Sequence, residues 1–195
     1  MNTAVLLAPG ASAGRDQRDL VAIDEALQPV PVERMDFPYR KQGRKAPDRP
    51  PVLLQAVRDE AAALAARTGL APERLILGGR SMGGRMCSMA VADGLPALAL
   101  VLVAYPLHPP GRPEKMRTGH FAALDLPCLF VSGTRDAFGT PQELEAATAA
   151  IPGPVTHRWV EGGDHGLRRK EATVAALVRE FVEEVSAGAG GRLRG

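Results

Sequence analysis

At 195 residues and 20.6 kDa, the chain is long enough for one domain with a full core and short for two. Hydrophobic residues make up 45% and charged residues 24%, the balance of a soluble globular protein, and a formal net charge of +2 is too small to make nucleic acid the main partner. The amino-terminal MNTAVLLAPGAS has no basic leader and no run approaches the ~20 apolar residues of a membrane span, so a cytoplasmic protein without a membrane partner is expected.

Short apolar runs alternate with helix-period segments along the whole chain, the pattern of a parallel sheet covered by helices. The first predicted strand is Ala4 to Leu7, followed by a helix marked by Leu20, Ile23 and Leu27, and then a weaker strand from Val32 to Met35. FPYRKQGRKAPDRPP, basic and proline-rich, reads as an irregular connection. A second long helix starts near Pro51, presents Leu54, Val57, Ala61 and Leu64, and stops at Gly69. RLIL, Arg74 to Leu77, is the third strand, and GGRSMGGR leaves it.

A helix then runs to about Ala92, ending at Asp93-Gly94. Ala97 to Ala104 is almost purely apolar, as a strand buried on both faces requires. PCLFVSG from Pro127 is a similar strand. At Thr140 a capping threonine, a proline at the first helical position and Glu143 together announce a helix start. Val155 to Val160 is the last strand, and Val174, Leu177, Val178, Phe181, Val182 and Val185 form the apolar stripe of the final helix. The expected architecture is a single doubly wound, mostly parallel six-stranded α/β sheet with helices on both faces, over residues 1–187, with a disordered tail at 188–195. Cys87 and Cys128 lie in apolar segments without metal-ligand spacing and are expected to be reduced and buried.

In such sheets the ligand site lies off the carboxyl ends of the strands, so the residues after each strand carry the functional reading. Residues 79 to 83 satisfy G-x-S-x-G between a strand and a helix, the setting of a nucleophile elbow. The glycines let strand and helix pack closely while the turn lifts the Ser81 hydroxyl into the open. A Walker A phosphate loop is excluded, because Gly84-Arg85 follows Gly83 where lysine and a hydroxyl residue are needed. The motif alone is weak in a chain with 21 glycines, and two later strand exits strengthen it. Asp136 follows PCLFVSG, and His165 lies in EGGDHGL before the last helix. Ser, Asp, His is the order this topology uses, and Ser81, Asp136 and His165 become the candidate nucleophile, acid and base. His108 and His120 precede Asp136, and His157 falls inside the last strand, which makes them poorer bases. The oxyanion of an acyl-transfer intermediate needs two donors. The backbone N–H of Met82 is one, and the APGASAG loop, through Gly10-Ala11, offers the second at Ala11.

These residues together resemble the α/β-hydrolase superfamily, and within it the small dienelactone-hydrolase-like branch. LLAPGASAG, GGRSMGGRM, AYPLHPPGRPEKMR, LFVSGTRDAFG and GGDHGL carry the likeness over nearly the whole chain. It is nearest to the group containing the α/β-hydrolase-like subunit of the non-specific lethal histone acetyltransferase complex and its bacterial relatives. The resemblance implies a sheet lacking the two leading antiparallel strands of larger members, and the same roles for Ser81, Asp136 and His165. Two departures stand out. Pro9-Gly10 replaces the His-Gly of many relatives, and Ser81 stands where dienelactone hydrolase has cysteine, so the lactone substrate does not carry over.

The expected function is hydrolysis of a carboxylic ester or thioester of small to medium size, with no cofactor and no metal. A non-catalytic interaction module and an acyltransferase using the same residues are the alternatives. Residues 107–126 are too few for a helical lid. Gly10, Arg80, His108 and Phe138 are the candidate substrate contacts, with Met116 beside them on the rim. Arg80, Arg85 and Arg135 flank the candidate triad, while Arg40, Lys41, Arg44 and Lys45 lie after the second strand. Two readings stay open for these charges: an anionic substrate, or internal ion pairs and solvated loops. A monomer or a homodimer is expected.

Overall fold

A computed structural model of the chain describes residues 2–191, with side chains through residue 188. The apolar runs form β1 (Ala4–Ala8), β2 (Val32–Arg34), β3 (Leu75–Arg80), β4 (Ala99–Val103), β5 (Cys128–Gly133) and β6 (Val155–Val160). These make a six-stranded sheet in the order β2-β1-β3-β4-β5-β6, with every pairing parallel. Between them run α1 (Arg18–Leu27), α2 (Pro38–Lys41), α3 (Pro50–Thr68), α4 (Met82–Ala92) and α5 (Pro141–Thr148), and α6 (Glu171–Gly191) follows β6.

Side chains alternate across each strand, so the sheet feeds two cores. Ala4, Leu6, Leu75, Leu77, Leu100, Leu102 and Phe130 pack toward α3 and α4. Val5, Leu7, Ile76, Val101, Val103, Leu129 and Val131 face α1 and α6, where Leu20, Ile23, Val174 and Val178 meet them. Strand order reverses between β1 and β3, because the chain goes from β1 outward to β2 and then returns to build the rest on the opposite side. The carboxyl ends of these two strands define the mouth of the site.

The structure departs from the expectations in four places. The basic proline-rich segment contains α2, with Pro38 at its start and the rings of Phe37 and Tyr39 stacked 6.2 Å apart in the core. The buried face of α3 is Leu53, Ala56, Val57, Ala61 and Leu64, and Leu54 packs only at its edge. β3 continues past Leu77 through both glycines to Arg80. A Cβ on Gly78 would lie 2.2 Å from the Val101 carbonyl oxygen, and one on Gly79 would lie 2.0 Å from that of Ala8. Only glycine lets this strand run between its two neighbours. Finally, α6 extends to Gly191, beyond the boundary expected at 187, while 192–195 lie outside the described residues.

Candidate active site

Ser81 directly follows the last residue of β3 and caps α4 with φ 50° and ψ −113°. A non-glycine residue in this region costs about 1–3 kcal/mol and persists only where its surroundings hold it. Here they do. Its N–H donates to the Val103 carbonyl at 2.8 Å, and its own carbonyl accepts from the Arg85 N–H at 3.1 Å. On the helix side, a Cβ on Gly83 would sit 2.1 Å from the Ala8 carbonyl oxygen, so α4 begins as close to β1 as a backbone can come.

The loops after β5 and β6 bring Asp136 and His165 to this serine. Ser81 Oγ lies 2.9 Å from His165 Nε2, and His165 Nδ1 lies 2.8 Å from Asp136 Oδ2 and 3.0 Å from Oδ1. The Asp136 side chain is 1% exposed and also accepts the Phe138 N–H at 2.8 Å. The Phe138 ring stacks on the imidazole with centroids 3.9 Å apart, which fixes its plane. The two loops touch through glycine: a Cβ on Gly133 would be 2.1 Å from the Gly163 carbonyl oxygen, which itself accepts the Arg135 N–H. From the other side, Arg80 donates through Nη2 to the carbonyl of His165.

Gly10, Ala11, Gln17, Met82 and Phe138 surround an open cavity of about 460 Å³ above Ser81. The N–H of Met82 and the N–H of Ala11 have no protein acceptor among the described residues. Gly10 is different: its N–H is taken by Gln17 Oε1 at 2.9 Å. The site therefore presents a hydroxyl hydrogen-bonded to an oriented imidazole, with two free amide donors nearby, the equipment of acyl transfer.

Several sequence candidates fall elsewhere. His108 does not line the cavity. It is 5% exposed, with Nδ1 2.9 Å from the Pro109 carbonyl oxygen and Nε2 3.4 Å from Glu143 on α5. Arg80 lines the cavity but is neutralised, since its Nε forms a 2.6 Å ion pair with Asp19. Burial raises the pKa of Asp19, and Arg80 opposes that rise. Arg135 is exposed, Lys41 pairs with Glu60 and Arg44 with Asp48. Met116 is exposed away from the cavity wall. Gln17, Pro106 and Arg117 line the cavity without having been singled out in the sequence. Of these only Arg117 left a signal, as the last basic residue of GRPEKMR. Cys87 and Cys128 are free and buried, and burial pushes both thiols up to about 12. Among the described residues, no three His, Cys, Asp or Glu side chains gather as a metal site would require.

An α/β-hydrolase domain model matches residues 1–188. The chain belongs to the α/β-hydrolase family. Solved structures of α/β-hydrolases agree on the fold. An α/β serine hydrolase homologue from Coxiella burnetii superposes with a TM-score of 0.76 at 15% identity, covering 93% of this chain and 85% of that one. An α/β serine hydrolase from Xanthomonas campestris, described as lacking a lid, gives 0.71 at 19% identity over 93% of this chain and 81% of its own. A thermophilic esterase from Thermogutta terrifontis gives 0.71 at 21% identity over 94% and 90%. This α/β-hydrolase likewise has no helical lid between β4 and β5, where only a 3-10 turn at Phe121–Ala123 forms. No helix among its described residues is long and apolar enough to cross a membrane.

Proposed function

We propose that this α/β-hydrolase is a serine hydrolase that cleaves a carboxylic ester or thioester of small to medium size. The observation that carries the reading is the continuous hydrogen-bonded chain from Ser81 Oγ through His165 to Asp136, open to a cavity. Ser81 Oγ attacks the carbonyl carbon while His165 Nε2 takes its proton, and Asp136 holds the imidazolium through Nδ1–H. The tetrahedral oxyanion is received by the N–H groups of Met82 and Ala11, each donor being worth about 3–4 kcal/mol in such sites. Collapse expels the alcohol or thiol, which takes the proton back from His165. Water, activated by the same imidazole, then frees the acid from Ser81.

The likeness of LLAPGASAG, GGRSMGGRM and GGDHGL supports a place near the dienelactone-hydrolase-like branch, with serine as nucleophile. Steady-state hydrolysis of 4-nitrophenyl acyl esters tests the proposal. Ser81→Ala and His165→Ala should each lower kcat by at least about 10⁴-fold, and the double variant should lose little more, because the pair acts as a unit. Additive losses would contradict the assignment.

A further inference from the structure

Three arginines line the cavity beside Ser81, and they are not equivalent. Asp19 neutralises Arg80. Arg85 and Arg117 have no acidic partner among the described residues, although both are half-buried. Arg85 stands one turn into α4, tied to Ser81 through its N–H, and its Nε is buried without an acceptor. Its carbonyl accepts from Ser88 Oγ at 2.9 Å, and that oxygen lies 2.8 Å from His120 Nε2. Arg117 comes from the connection between β4 and β5. Its carbonyl accepts the Tyr105 hydroxyl at 2.6 Å and its N–H donates to Leu107 at 2.8 Å, while Nη1 reaches only the Pro106 carbonyl, at 3.4 Å.

The two guanidinium groups feel each other. Burial first, and then the charge of Arg85, lowers the pKa of Arg117. Arg85 also helps burial to hold His120 down at about 4. Two unpaired like charges gathered in a partly enclosed cavity cost free energy that surface arginines avoid. An anion accepting charge-assisted hydrogen bonds from both would offset that cost, and a positive lining draws such a ligand in.

We propose that the substrate carries an oxyanion group, a carboxylate or a phosphate, held by Arg85 and Arg117 beside the scissile carbonyl. The ester part of this assignment rests on the serine-hydrolase reading; the anion part rests on the cavity alone.

4-Nitrophenyl hemiglutarate and 4-nitrophenyl valerate have nearly the same shape and differ by one charge. Wild type should hydrolyse the hemiglutarate with kcat/KM at least about tenfold above the valerate. Arg85→Gln and Arg117→Gln should each bring that ratio toward one, and the ratio cancels any loss in shared chemistry or folding. Calorimetric titration of glutarate and of glycerol phosphate into wild type and Ser81→Ala reads the anion without turnover. Saturable binding of either, lost in Arg85→Gln, supports the proposal and identifies the group. Binding of neither, or a wild-type ester ratio of one or below, overturns it. A Ser81 that fails to react with a fluorophosphonate removes the hydrolase reading and leaves the anion to the calorimetry. A Ser81 that reacts in a protein binding no anion removes only this inference.

Discussion

The Arg80 side chain spans from Asp19, in the first turn of α1, to the carbonyl of His165 in the loop after β6. Both partners of the ion pair are over nine-tenths buried, so breaking it by Arg80→Met leaves an unpaired carboxylate at a cost of about 3–5 kcal/mol. Replacing both, as Arg80→Met with Asp19→Leu, should recover most of the melting temperature, because a buried pair exchanged for apolar side chains is close to neutral. Activity should stay low in the double variant, since the His165 loop has still lost its donor. Thermal unfolding and ester turnover on the three proteins check this, and full recovery of activity would deny Arg80 a positioning role.

At the level of elements, the site is an agreement between three strand exits, and glycine sets how closely they meet. Gly133→Ala pushes a methyl group against the Gly163 carbonyl oxygen, 2.1 Å from the ideal Cβ position, so the loops bearing Asp136 and His165 must separate. About 1–3 kcal/mol of stability and at least tenfold of kcat should be lost, because a shift near 1 Å suffices to misalign a general base. Gly43→Ala, at φ 74° with open space around it, should cost only about 1–2 kcal/mol of left-handed backbone strain and no activity. Chemical denaturation and kinetics of both variants make the comparison.

These exits were legible in the sequence because apolar runs mark strands and the ligand side of such a sheet is fixed by topology. Ser81, Asp136 and His165 could thus be picked out, and Met82 and Ala11 followed from them. Pairing partners were not legible. Arg80 and Arg85 look alike in GGRSMGGR, and only the fold shows that Asp19 meets the first and that no acid among the described residues meets the second. His108 was misread for the same reason, since its direction is set by α5, a contact distant in sequence. The strand character of Gly78 and Gly79 was hidden because isolated glycines usually weaken strands, and here close backbone approach overrides that tendency.

For the molecule as a whole, two half-buried histidines weaken stability toward acid pH. Burial, reinforced by Arg85, holds His120 at about 4, against 6.5 when free, and burial also lowers His157. The unfolded chain therefore binds more protons than the native one between these values, so stability is full above 6.5 and falls as pH drops toward 4. Asp19, raised above 3.8, has the opposite sign above that pH, so the histidine share is best isolated by substitution. Allowing for the partial exposure of His120, its share is about 1–2 kcal/mol. His120→Gln should flatten the stability profile by that amount between pH 7 and pH 4.5, measured by denaturant unfolding. An unchanged profile would mean that His120 already titrates normally in the native state.

The central claim, that Ser81 is an activated nucleophile, is tested most directly by fluorophosphonate labelling followed by intact mass and peptide mapping. Wild type should gain one adduct, on Ser81, with Ser81→Ala unmodified and His165→Ala far slower to react. Wild type that remains unmodified would contradict the account and favour an interaction module, and an adduct on any other residue would contradict the assignment of Ser81.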